Sequence, residues 1–277
     1  MSSGRAITAA VPIPFSPLPR RWAKVRCCCG NTDPERDPAP AFIAAVASAL
    51  KQGRRVLVPA FTLDRSQRVL AALARGRREG GLPEVPVYIT SRTIDAFTRA
   101  YQGFSRDRAT YGESFNAAFF DDPFRGLSWR MLRSKSIPQG PSVVVASSAD
   151  GRYGACAALL EPYVTDPRAA IIKVGWASPS SPMGRLYAAS QKGAREVELT
   201  STQRVSLQAS LGAVSLSGHG HASTVARLAT GCRGLQRLFL VHGEPDGLAR
   251  FAAYLRTLLP RSVQVRIPAM GERVELF

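Results

Sequence analysis

Arg55-Val-Leu-Val-Pro-Ala-Phe-Thr-Leu-Asp-Arg-Ser-Gln67 decides the fold of this chain. Its first half is a short aliphatic run entered from Gly53, and it reads as a buried strand. Thr62 is expected to cap a helix that runs to about Arg78, where Gly80-Gly81 stops it. A buried strand passing at once into a helix is the building unit of an α/β layered fold with largely parallel strands.

The same rhythm extends in both directions. Upstream, 39–52 is a good helix former, opened by prolines and stopped by Gly53. Downstream, a strand is expected at 85–90 and a helix from there to about Tyr101. Residues 103–140 are mixed, with a helix near 111–120 and a loop near 121–140. Strands follow at 142–146 and 169–175, with a helix over 156–163 between them. Two strands are expected near 195–200 and 205–216, the second broken around Leu211-Gly212. Helices over 222–229 and 246–259 flank a strand at 238–241, and strands near 263–267 and 272–276 close the chain. Residues 1–25 carry Pro12, Pro14, Pro17 and Pro19 and read as a loose arm.

Composition narrows the functional classes. The 277 residues are 45% hydrophobic and 21% charged, which excludes a disordered chain. No apolar run approaches a membrane span. Lys plus Arg number 37 against 20 Asp plus Glu, a net charge of +17. Such a surface attracts polyanions, nucleic acid foremost. The five cysteines are Cys27, Cys28, Cys29, Cys156 and Cys232. Three are adjacent, and no paired C-x-x-C spacing occurs. They suggest neither a disulfide framework nor a zinc knuckle, and a reducing, cytoplasmic compartment is expected. The basic, acid-free first 30 residues admit a transit-peptide reading, but an irregular N-terminus or a displaced chain start is the plainer one.

Three places carry chemistry. All three histidines, His219, His221 and His242, fall within Ser217-Gly-His-Gly-His-Ala222 and Leu240-Val-His-Gly-Glu244. Both segments follow apolar strands, where α/β proteins place their ligands. Imidazoles there can bind a metal, bind and protonate a phosphate, or simply hydrogen-bond loop carbonyls. Ser147-Ser148 follows a strand and precedes a helix, with Gly151 and Gly154 nearby. Such a turn can cradle an anion or merely cap the helix. Arg65, Arg68, Arg75, Arg77 and Arg78 form either a phosphate-tracking stripe or a solvated helix face. No P-loop and no G-x-S-x-G elbow is present.

In order, these segments resemble the metallo-β-lactamase/β-CASP family of RNA-processing nucleases. Residues 55–67 resemble its "V-L-I-P-x-F-A-x-G-R-x-Q-E" opening. Val87-Tyr-Ile-Thr-Ser91 is similar to "V-Y-x-D-S-P", and Val143-Val-Val-Ala-Ser-Ser148 to "I-I-A-S-S-G-M". Asp166-Pro-Arg-Ala-Ala-Ile-Ile-Lys-Val-Gly-Trp176 and Pro182-Met-Gly-Arg185 resemble "D-P-R-N-x-V-x-x-V-G-Y" and "T-P-G-R". Leu216-Ser-Gly-His219 and Leu240-Val-His-Gly-Glu244 resemble "F-S-[AG]-H" and "L-V-H-G-E". The resemblance implies a β-CASP domain, a parallel sheet flanked by helices, followed by the C-terminal part of a metallo-β-lactamase αββα domain. It divides the chain into an arm and metallo-β-lactamase remnant (1–37), the β-CASP domain (38–168) and an RNA-specificity and C-terminal metallo-β-lactamase segment (169–277).

The resemblance also implies roles. Zinc would be the family's cofactor, with His242 a ligand. His219 would be the catalytic histidine, contacting the scissile phosphate and helping to protonate the leaving oxygen. Ser217, Ser147 and Ser148 would bind substrate phosphate. Departures from the pattern weigh equally. The "E-S-T-Y-G" segment corresponds to Arg26-Cys-Cys-Cys-Gly30, and no H-x-H-x-D-H run occurs. His221 replaces the usual aspartate, and Thr90-Ser91-Arg92 replaces Asp-Ser-Pro. A catalytic zinc takes about three protein ligands plus water. The chain is therefore expected to bind RNA or single-stranded nucleic acid but to be inactive or incomplete alone, with a separate chain as a source of the missing half. The alternatives are a non-catalytic RNA-binding or scaffold module and a truncated gene product.

Overall fold

The computed structural model describes residues 6–7, 22–26, 37–106, 122–133, 137–216 and 221–274. They belong to two compact units. Residues 37–106, 122–133 and 137–216 lie in the first; 6–7, 22–26 and 221–274 lie in the second.

The chain opens with β1 (Ala6–Ile7) and β2 (Trp22–Arg26), both in the second unit. The first unit then runs α1 (Ala39–Lys51), β3 (Arg55–Ala60), α2 (Arg65–Arg78), β4 (Val87–Ile89) and α3 (Arg92–Arg106). It continues with β5 (Arg130–Met131), β6 (Ser142–Ser147), α4 (Gly154–Val164), β7 (Ala169–Lys173), α5 (Pro182–Gln191), β8 (Glu196–Thr200), β9 (Gln203–Ser206) and β10 (Ser210–Ala213). The second unit resumes with α6 (Ala222–Gly231), β11 (Arg237–Val241), α7 (Pro245–Leu258) and β12 (Gln264–Arg266).

Six strands of the first unit form one all-parallel sheet, in the order β10-β7-β3-β6-β4-β5. The strands β7 and β10, which the sequence division groups with the C-terminal segment, hydrogen-bond into this sheet. The central strands carry no polar alternation because both their faces are covered. Val56, Val58 and Ala60 of β3 and Val143 and Val145 of β6 pack with Phe42, Val46, Val69, Leu73 and Ile94 from α1, α2 and α3. Leu57, Val144 and Ala146 turn to the other face and meet Cys156, Leu159, Tyr163, Met183 and Leu186 from α4 and α5. Each fully buried aliphatic side chain contributes about 1.5–3 kcal/mol. Pro59 is tolerated in a central strand because pairing with β7 stops at Leu57, leaving only the β6 side bonded beyond it.

The second unit has a four-stranded parallel sheet, β1-β2-β11-β12. Leu238 and Leu240 of β11 pack with Val225 and Ala229 of α6 and with Leu248, Phe251 and Leu255 of α7.

Four sequence expectations are corrected. Thr62 is not the cap of α2. Asp64 holds that position at φ 64°, makes no side-chain cap bond, and gives its carboxylate to Arg68 Nε at 2.8 Å instead. The 205–216 strand is two strands in different sheets. Its break lies at 207–209, where the amides of Gln208 and Ala209 both donate to the Val164 carbonyl and carry the chain from the β8–β9 hairpin to the sheet edge. The arm over 1–25 contains strand pairing: β2 runs beside β11 from Trp22↔Arg237 to Arg26↔Val241. Residues 272–274 are not in a strand. The helix expected near 111–120 lies outside the described residues.

Candidate functional site

The first sheet has a point at which connections leave in opposite directions. From β3 the chain crosses through α2 toward β4; from the adjacent β6 it crosses through α4 toward β7. The two helices therefore pack on opposite faces, as their separate cores show. Adjacent loops that diverge in this way open a crevice at the carboxyl ends of the strands, the usual ligand position in open α/β sheets.

Ser147 and Ser148 sit at that point. The Ser147 amide donates to Thr90 Oγ1 at 3.1 Å, tying the end of β6 to the end of β4. Ser148 adopts a left-handed conformation, φ 77°, which costs a residue with a Cβ about 1–2 kcal/mol. Its hydroxyl donates to Asp150 Oδ1 at 2.8 Å. Asp150 also accepts from the Arg152 amide and pairs with Arg152 Nε at 3.3 Å. The Ser148 proton is thus held by a carboxylate whose charge Arg152 offsets. Gly151, at φ 73°, turns the chain into α4.

The neighbouring loop after β7 is fixed from three sides. Arg65, buried in the first turn of α2, donates through Nη1 to the Val174 carbonyl at 2.8 Å. A Cβ on Gly175 would lie 1.8 Å from that same nitrogen, so the glycine makes room for the guanidinium. Arg152 donates to Ser180 Oγ at 2.7 Å. The Ser181 hydroxyl caps α5 by accepting from the Gly184 amide at 3.1 Å. A Cβ on Gly184 would meet the Ser178 carbonyl oxygen at 2.0 Å, so this position admits only glycine. Sequence reading passed over Arg65 as a loop anchor and Asp150 as the partner of Ser148. The signal for the first was available: an arginine within an apolar helix face, matched by a glycine after a distant strand.

In the second unit, His242 follows β11 at φ 64° and is exposed. Histidine is among the residue types that enter this region most readily. His221 has a structural task. Its Nδ1 accepts from the Ser223 amide at 3.2 Å and lies 3.0 Å from Ser223 Oγ, which caps α6. Ser217 and His219 lie outside the described residues, as do Cys27, Cys28 and Cys29. Cys156 is buried in the first unit, and burial pushes its thiol up to about 12, helped by the charge of Asp150.

The five arginines of α2 do not form one phosphate-facing stripe. Arg65 is buried; Arg68 pairs with Asp64; Arg75 binds Glu79 and Asp37, whose hydrogen bonds raise its pKa. Arg77 donates to the Val85 carbonyl and Arg78 to the Arg125 carbonyl. The fold uses most of these charges locally.

Two domain families match the chain in sequence order. The Beta-Casp domain covers residues 66–186, and the Zn-dependent metallo-hydrolase RNA specificity domain covers 204–268. Together the two matches support the metallo-β-lactamase/β-CASP family for this chain. Ribonuclease TTHA0252 of Thermus thermophilus is 29% identical over 255 residues, covering 87% of this chain and 54% of that protein. Endoribonuclease YSH1 of Mycosarcoma maydis is 26% identical over 249 residues, 88% of this chain and 26% of that protein. Cleavage and polyadenylation specificity factor 73 of Drosophila melanogaster is 26% identical over 219 residues, 78% and 31% respectively. The chain thus spans about half or less of the length of these β-CASP relatives.

Zinc is the metal of the family's RNA specificity domain by name. Among the described residues, no three His, Cys, Asp or Glu side chains gather as a metal-binding set. Those residues do not fit a zinc centre. Also among the described residues, no helix is long and apolar enough to cross a membrane.

Proposed function

We propose that this chain is an RNA-binding portion of a β-CASP RNA-processing hydrolase, and that its 277 residues do not by themselves hold a dinuclear zinc centre. RNA phosphate is bound by Ser147 and Ser148, and by Ser217 and His219. His242 is a metal-ligating position whose co-ligands come from a partner chain. The reading rests above all on the order of the two matched domains, β-CASP and then RNA specificity. The net charge of +17 supports a polyanionic ligand. The histidine inventory of three supports the limited metal capacity.

The test is fluorescence anisotropy of a labelled single-stranded RNA titrated with the 277-residue chain at several salt concentrations. Binding that weakens roughly ten-fold between about 50 and 200 mM salt is expected for a few phosphate contacts. Absence of binding at the lowest salt would overturn the reading.

A further inference from the structure

Four large apolar side chains of the first unit are strongly exposed among its described residues: Phe61 (52%), Leu63, Tyr153 (70%) and Trp176 (60%). All four lie on the loops that follow β3, β6 and β7, three adjacent strands of one parallel sheet. None of the exposed set lies at the opposite edge of that sheet. The register places Ala60 beside Ser147 and Leu57 beside Ile171, so the three loops leave the sheet side by side. Neighbouring strands are about 4.8 Å apart.

Hydrogen bonds join these loops into one surface. Arg65, next to the Phe61–Asp64 turn, holds the Val174 carbonyl at 2.8 Å, two residues before Trp176. Arg152, the neighbour of Tyr153, holds Ser180 Oγ at 2.7 Å. The Met183 amide donates to the Asp150 carbonyl at 3.1 Å. The aromatic rings are carried on a braced platform around the point where α2 and α4 diverge.

We infer that Phe61, Tyr153 and Trp176 form a stacking platform for the bases of single-stranded RNA. The inference rests on the proposed RNA binding and adds to it a second kind of contact, with bases rather than phosphates. Three of the four exposed groups are aromatic, and a base stacks on any of them regardless of sequence. Exposed Arg92, at the start of α3, and exposed Arg152, in the loop after β6, suit a flanking phosphate backbone. The chain's charge of +17 disfavours a basic protein partner on this face.

The test compares two labelled oligonucleotides of equal length, a single-stranded oligouridylate and its abasic counterpart, against the 277-residue chain and Trp176→Ala. Stacking predicts that Trp176→Ala weakens oligouridylate binding about ten-fold and leaves abasic binding unchanged. Phe61→Ala and Tyr153→Ala should each weaken it several-fold, and Trp176→Phe should restore most of the affinity. Circular dichroism checks that each variant is folded, as expected for substitution of exposed side chains. If the unsubstituted chain binds both oligonucleotides equally, or Trp176→Ala binds oligouridylate with full affinity, the platform is overturned while RNA binding stands. If the unsubstituted chain binds neither, the proposed function falls and the platform with it.

Discussion

Arg65 Nη1 lies 2.8 Å from the Val174 carbonyl, joining residues 109 apart in the chain. The bond explains two sequence features together. An arginine inside the apolar face of α2 is buried because it reaches across to the loop after β7, and Gly175 is glycine because that guanidinium occupies its Cβ position. Arg65→Met leaves the carbonyl to find another donor. Loss of one hydrogen bond from a charged group should lower stability by about 1–3 kcal/mol in urea denaturation. Limited proteolysis should also cleave faster within 174–181. Unchanged stability and protease resistance would show that the loop is held by other contacts.

Gly184 is fixed by backbone, not by a yielding side chain. A methyl group there would meet the Ser178 carbonyl oxygen at 2.0 Å, whereas Gly140 has nothing within 4 Å. Gly184→Ala should cost about 1–3 kcal/mol through overpacking. Gly140→Ala should be close to neutral. Equal urea midpoints for the two variants would contradict the packing described at the start of α5.

Ser148 carries backbone strain and a hydrogen bond to Asp150 at once. Ser148→Ala removes the bond and keeps the strain. Ser148→Gly removes both. The glycine variant should therefore be the more stable of the pair by about 1 kcal/mol. A more stable alanine variant would mean that position 148 does not hold its left-handed conformation in solution.

Cys156 is an acid whose folded-state pKa is raised, from 9.0 to about 12, so ionisation favours unfolding. Its contribution to stability is fully present below pH 9.0 and is lost as pH climbs from there toward about 12. At neutral to mildly alkaline pH the folded protein should leave Cys156 unmodified by iodoacetamide, while urea exposes it. Peptide mapping by mass spectrometry reads both states. Rapid native labelling of Cys156 would contradict its place between the sheet and α4.

The strand–helix rhythm was legible because buried parallel strands and the helices that follow them carry strong apolar signals. The β3, β6 and β7 segments and the helices α1, α2, α3, α4, α6 and α7 fall within a few residues of their expected places, whereas α5 was not anticipated. What sequence did not reveal was contact chemistry between distant segments. The apolar stretch around 205–216 looked continuous until the Val164 carbonyl was seen to divide it. Trp22–Arg26 lay in a proline-rich arm, and only its pairing with Arg237–Val241 makes it a strand. The α2 arginines looked like a free basic face; their partners Asp37, Val85, Val174 and Arg125 come from elsewhere in the chain. Ser147 and Ser148 stand at the end of β6, but the bond from Ser148 to Asp150 appears only in three dimensions.

The most direct trial of this account is elemental analysis of the purified 277-residue chain after loading with zinc and removal of unbound metal. Too few donor groups for a paired-metal site predicts a zinc content well below two per chain. Retention of about two zinc ions per chain, the complement of a two-metal hydrolase, would contradict it.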